Sequence, residues 1–240
     1  MTGLLSVTDV SKRFRGLTAV SHVSFDVQPG EMFAVIGPNG AGKTTLFNMI
    51  AGAMAPDGGS ITFAGEKIDG LRSDRIAQRG IGRTFQLVRP FPSLSVEDNV
   101  VVGALMQTNE LEGARNIAYE IMSQLDLLGK RAQIASSLTL PDRKRLEVAR
   151  ALAGRPKLLL LDEVMAGLRP TETDRIVAIL RELNRAGLTI LLIEHVMRAV
   201  AALASRILVL HHGAAIAEGT PENVLRDPAV VHSYLGAEAL

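Results

Sequence analysis

Gly37-Pro38-Asn39-Gly40-Ala41-Gly42-Lys43-Thr44-Thr45 is the stretch that decides the fold. It fits G-x-x-x-x-G-K-[ST], the spacing of a loop that wraps nucleotide phosphates. Met32-Phe33-Ala34-Val35-Ile36 precedes it and Leu46-Phe47-Asn48-Met49-Ile50 follows it. Strand, glycine loop and helix therefore come in the order the mechanism needs. Glycines let the backbone turn tightly and aim N–H groups at phosphate oxygens. The helix adds its positive N-terminal end. Every residue from Gly37 to Thr45 is a candidate nucleotide contact. Lys43 is placed to reach the β- and γ-phosphates, and the Thr44 hydroxyl to bind Mg²⁺.

Downstream, Leu158-Leu159-Leu160-Leu161-Asp162-Glu163 sets two acids after a run of aliphatics. A buried strand carrying acids at its C-terminal end presents them at the sheet edge where nucleotides bind. Asp162 is the candidate Mg²⁺ ligand, and Glu163 the candidate to orient and activate an attacking water. A buried strand ending in solvated acids is common by itself; the phosphate loop upstream gives it a functional reading. Gln86 and His195 are singled out by order: phosphate loop, Gln, helical segment, Asp-Glu, His.

The pattern around these motifs is α/β. Leu5 to Val10, Val20 to Val27 and Ser60 to Phe63 read as strands, with turns at Pro29-Gly30 and Gly58-Gly59. Ser95-Val96-Glu97-Asp98 resembles a capping box leading into a helix, and Ile117, Ile121, Leu125 and Leu128 predict a helix over Asn116 to Leu128. Lys157 to Asp162 and Thr189 to Glu194 read as buried strands, with a helix striped by Ile176, Leu180 and Leu183 between them and a stop at Gly187. Arg206 to Leu210 and Ala215 to Glu218 read as closing strands. A mostly parallel sheet interrupted by a helical insertion near residues 90 to 150, in one domain spanning 1 to 240, is expected.

The 240 residues suffice for a sizeable core, and 47% hydrophobic with 21% charged is ordinary for a globular protein. A formal net charge of +1 gives no electrostatic case for nucleic acid. The absence of cysteine excludes disulfides and thiolate metal sites. Met1 to Val7 lacks a basic segment followed by a long apolar one, so a secretory signal is not expected. The apolar runs are too short to span a bilayer, so any membrane part is expected from another chain.

These residues, in this order, resemble the nucleotide-binding domain of an ATP-binding cassette transporter over essentially the whole chain. The resemblance implies a phosphate-loop core of the RecA type, with an N-terminal antiparallel β-subdomain and an inserted α-helical subdomain. It makes Phe14 the aromatic that stacks on adenine, Gln86 the link from the Mg²⁺ site to a membrane subunit, and His195 the switch histidine on the γ-phosphate. Gly80-Ile81-Gly82-Arg83-Thr84-Phe85-Gln86, Phe91-Pro92-Ser93-Leu94-Ser95-Val96-Glu97-Asp98-Asn99-Val100, Leu191-Leu192-Ile193-Glu194-His195 and Ser233-Tyr234-Leu235-Gly236 are similar to an ATPase of branched-chain amino acid importers. The lipopolysaccharide-export ATPase is the nearest rival; a soluble cassette ATPase and a phosphate-loop kinase are more distant ones.

The resemblance implies ATP hydrolysis with Mg²⁺, and head-to-tail dimerisation with itself or a paralogous ATPase. It implies two integral membrane permease subunits, with Gln86, Arg89, Phe91 and Pro92 near the groove that meets them. A periplasmic or surface solute-binding protein would take part indirectly, without nucleic acid. The location implied is cytoplasmic, peripheral on the inner face of the membrane. One part departs from the pattern. The usual Leu-Ser-Gly-Gly-Gln signature is replaced by Leu138-Thr139-Leu140-Pro141-Asp142. Thr139 keeps a hydroxyl that could cap the helix or touch phosphate, while Leu140 adds bulk and Pro141 has no N–H to donate. Val164-Met165 and Arg169 also stand where other residues are usual.

Overall fold

A computed structural model describes residues 3–84 and 90–232. Their strands form two sheets. The first begins with β1 (Leu5–Phe14) and β2 (Leu17–Val27), an antiparallel pair in which Leu5 faces Val27. The register shifts between Val7 and Val10 and again between Val10 and Lys12. Asp9 takes a left-handed φ of 53° at the first of these bulges. The bulges explain why the strand outruns the alternation that predicts an end at Val10. An extra residue flips the facing pattern without ending the ladder, and β1 continues to deliver Phe14 at its far end.

Next come β3 (Met32–Ile36), the helix α1 (Lys43–Ile50), β4 (Gly58–Phe63), β5 (Glu66–Lys67), α2 (Ser73–Gln78) and β6 (Ile81–Arg83). β4 and β5 complete the antiparallel sheet in the order β2-β1-β4-β5.

The helical segment holds α3 (Val96–Ala104), α4 (Leu111–Gln124) and α5 (Leu140–Ala153). Ser95 caps α3, its hydroxyl accepting from the Asp98 amide at 3.0 Å. The expected helix at 116–128 is displaced: α4 begins at Leu111 and ends at Gln124. Its inward stripe is Ala114, Ala118, Ile121 and Met122, so small alanines extend the buried face upstream. Asp126, at φ 54°, turns the chain off the helix, and Leu128 is left exposed.

The remainder alternates: β7 (Leu158–Asp162), α6 (Pro170–Arg185), β8 (Thr189–Ile193), α7 (Met197–Leu203), β9 (Arg206–His211), β10 (Ala214–Gly219) and α8 (Pro221–Arg226). The second sheet has the order β10-β9-β3-β8-β7-β6, parallel throughout except for β10 on β9. Its central strands are buried on both faces, which is why they read as continuous apolar runs. Alternate residues feed two cores. Met32, Ala34, Ile36, Leu159, Leu161, Ile190 and Leu192 pack with the helical segment and α6. Phe33, Val35, Leu158, Leu160, Leu191 and Ile193 pack with α1 and the antiparallel sheet. Parallel pairing puts the C-terminal ends of β3, β6, β7, β8 and β9 along one edge, where doubly wound sheets hold their ligands.

Candidate nucleotide site

The loop after β3 takes backbone conformations that only glycine holds without strain. Gly37 has φ 149° and Gly42 φ 102°. A Cβ on Gly37 would lie 2.1 Å from the Leu210 carbonyl oxygen, and one on Gly42 2.3 Å from that of Ala19. The loop is thus clamped between β9 and β2. Gly42 caps α1 without a side-chain hydrogen bond, so the first-turn amides stay available to an anion. Lys43 is nearly buried, and its Nζ donates to the carbonyls of Gly37 at 2.6 Å and Pro38 at 2.9 Å. Burial lowers its pKa, while the nearby Glu163 and Asp162 charges oppose the shift.

A cavity of about 430 Å³ opens over this loop. Its lining joins Phe14 to Asn39, Gly40, Ala41, Gly42, Lys43, Thr44, Thr45 and Glu163. Phe14 is 43% exposed, with the Lys12 ammonium 5.8 Å from its ring centroid. An exposed aromatic at one end and amides with a cation at the other suit a ligand with a flat apolar part and an anionic part.

Asp162 ends β7 and is 1% exposed. Arg83 Nη2 donates to its Oδ2 at 3.5 Å, and its amide donates to Thr84 Oγ1 at 3.1 Å. Burial pushes its pKa up, and the Arg83 charge pulls it back. Among the described residues its Oδ1 is buried without a hydrogen-bond partner. A hard carboxylate oxygen left without a donor, near a threonine hydroxyl and a phosphate loop, fits Mg²⁺, which takes few protein oxygens and completes its shell with phosphate and water. Glu163, at φ 51°, is held from both sides: its amide donates to Ile193 O at 3.0 Å and its carbonyl accepts from Lys144 Nζ at 2.8 Å. His195 Nδ1 lies 3.9 Å from Glu163 Oε1.

The sequence-predicted residues thus divide. The loop, Phe14 and Glu163 share one cavity, with Asp162 and His195 beside Glu163. Gln86 and Arg89 lie outside the described residues, as does the ending Ser233 to Gly236. Thr139 stands at the N-cap position of α5 but makes no side-chain cap; its hydroxyl donates to Asp142 Oδ2 at 2.7 Å. Lys130 and Arg145 hold the same carboxylate. Thr139 is not among the residues lining the cavity.

Sequence reasoning missed Glu194, fully buried between Ile193 and His195. Its Oε1 accepts from the Met165 amide at 2.9 Å, and among the described residues its Oε2 has no hydrogen-bond partner. Burial raises its pKa from 4.5 to about 7. Because the folded value is the higher one, the stability tied to this proton is full below pH ~4.5 and is lost as pH rises through about 7. Glu194→Gln should leave stability unchanged near pH 4.5 and raise it by roughly 3 kcal/mol at pH 8. Urea unfolding at both pH values measures this; the same increment at both would place the proton elsewhere.

A family model described as ABC transporter matches residues 20–166. The high-affinity branched-chain amino acid transport ATP-binding protein LivG of Escherichia coli K12 is 39% identical over 249 aligned positions, covering 97% of this chain and 98% of LivG. The lipopolysaccharide export system ATP-binding protein LptB of the same organism is 36% identical, covering 98% of each chain. A solved ADP conformation of an ATP-binding cassette of an ABC transporter superposes with a TM-score of 0.89 at 31% identity, covering 98% of this chain and 100% of that one. The two sheets and the helical segment are those of the phosphate-loop α/β fold expected from the resemblance. The chain belongs to the ABC transporter family, as one of its ATP-hydrolysing cassettes.

Proposed function

We propose that this chain is the ATPase subunit of an importer for branched-chain amino acids or related small polar solutes. The observation that carries the ATP site is the single cavity joining Phe14, the loop from Asn39 to Thr45 and Glu163. The solute class rests on the near full-length similarity to LivG, named for branched-chain amino acid transport. The similarity to LptB, named for lipopolysaccharide export, supports the second reading.

In this reading adenine stacks on Phe14, and the phosphates lie against the loop amides, Lys43 and the start of α1. Thr44 and Asp162 would hold Mg²⁺, with Gln86 as a further ligand. When bound, the ion supplies positive charge to the phosphate oxygens. Glu163 orients a water for in-line attack on the γ-phosphorus and takes its proton as the bond to the β-phosphate oxygen breaks. Lys43, His195 and the loop amides stabilise the charge spread over the γ-oxygens.

Thr139 contributes from the opposite face of an ATP-bound dimer, formed with a second copy or a paralogous ATPase. Its hydroxyl must leave Asp142 to donate to a phosphate, which makes this signature the weaker half of the pair where the partner is a paralogue. Two permease subunits dock over the helical segment, where exposed Val102 and Met106 line a cavity of about 340 Å³ with Arg150, whose guanidinium lies 4.7 Å from the ring centroid of exposed Phe91. Among the described residues no helix is long and apolar enough to cross a membrane. Attachment at the inner face of a membrane through those permeases, with a solute-binding protein taking part indirectly from outside, completes the proposal.

Proteoliposomes holding the chain, its paralogue and the adjacently encoded permeases, supplied with the solute-binding protein, test it. ATP-dependent leucine uptake is the expected result. Hydrolysis stimulated by lipopolysaccharide and indifferent to leucine would replace import with export.

A further inference from the structure

His212 belongs to none of the motifs above, yet it lines the cavity with Phe14, Thr18 and the phosphate loop. It follows β9, whose C-terminal end lies beside the loop strand β3, with Ile36 opposite Val209. The turn it occupies is tied on both sides. The Gly213 amide donates to Ala41 O at 3.0 Å, and the Ser21 amide donates to Gly213 O at 2.8 Å. A Cβ at Gly213 would come within 2.9 Å of Ala19 O, so the turn is pressed close to β2. His212 itself is left-handed, at φ 47°, a conformation histidine adopts more readily than most non-glycine residues. Its ring meets that of His211 edge-on, with centroids 4.1 Å apart. An exposed imidazole is thus held by main-chain bonds between the loop and β2, the strand that starts just after Phe14. A neutral imidazole offers one donor and one acceptor, which a purine edge can match.

We propose that His212 is a base-reading residue of the nucleotide site, its imidazole edge hydrogen-bonding the purine that stacks on Phe14. The proposal rests on the ATP reading of the cavity. It divides the labour within the pocket: the loop holds the phosphates, Phe14 supplies the stacking face, and His212 supplies the polar contact to the base.

Calorimetric titration of the full chain with ATP, GTP and inorganic tripolyphosphate separates these parts. His212→Ala should weaken ATP by roughly fivefold to tenfold, the loss of one neutral hydrogen bond with its packing. Tripolyphosphate affinity should not change, which also shows that the variant is folded around its loop. His212→Asp offers only acceptors, which guanine meets with two adjacent donors (N1–H and the N2 amine) and adenine with its single N6 amine, so it should lower the ratio of ATP to GTP affinity several-fold. Equal loss of ATP and tripolyphosphate in His212→Ala would make the residue a support of the loop and overturn the proposal. Unchanged ATP affinity in His212→Ala, with a loss in Phe14→Ala, would overturn it while leaving the stacking site intact. No loss of ATP affinity in either variant would overturn the base pocket as a whole.

Discussion

Glu163→Gln is expected to bind Mg-ATP and to lose turnover by about 10²- to 10⁴-fold, the usual weight of a positioned general base. Glutamine preserves the shape of the side chain, and two bonds that hold residue 163 come from its backbone: amide to Ile193 O, carbonyl from Lys144 Nζ. The geometry of the site should therefore survive while the proton acceptor disappears. In the proposed cycle ATP binding closes the dimer and hydrolysis reopens it, so the variant should accumulate as an ATP-bound dimer. Phosphate release in the assembled transporter and sedimentation with Mg-ATP measure the two effects. Turnover close to that of the unaltered chain would remove Glu163 from the role of base.

Lys43→Ala is expected to weaken ATP by on the order of a hundredfold or more, since hydrogen bonds from a charged donor count for about 1.5–3 kcal/mol each. Lys43 Nζ sits inside the loop, on the carbonyls of Gly37 and Pro38. Its removal has two consequences: the phosphates lose a cation, and two loop carbonyls lose their donor. Lys43→Met removes the charge and the donor alike but keeps an aliphatic stem, so it separates both from the loss of packing. Direct titration with ATP reads the loss. A Lys43→Met chain that binds ATP as tightly as the unaltered one would show that the amides of the loop and of α1 suffice.

The phosphate loop, the Asp162-Glu163 pair and the buried strands were legible because each is a local pattern. Glycines at fixed offsets, a run of aliphatics and a following helix lie within a few residues of one another, and their physics is short-range. The reach of β1 to Phe14 was less legible, because bulges at Asp9 and beyond break the alternation that marks a strand. The stripe of α4 was misplaced because alanines carry little hydrophobic signal while still filling the inner face.

Long-range pairing decided the rest. Arg83 meets Asp162 across 79 residues because β6 lies parallel to β7, and Glu194 meets the Met165 amide across 29 because β8 lies parallel to β7. His212 reaches the loop only because β9 pairs with β3. Thr139 reads as a free cap in one dimension; in three, Asp142, Lys130 and Arg145 claim its surroundings. Sequence alone determined the buried strands and the phosphate-binding motif, since periodicity and motif spacing act along the chain. Which distant side chains surround that chemistry was set by strand order and register, because those bring separate strand ends to one edge of the sheet.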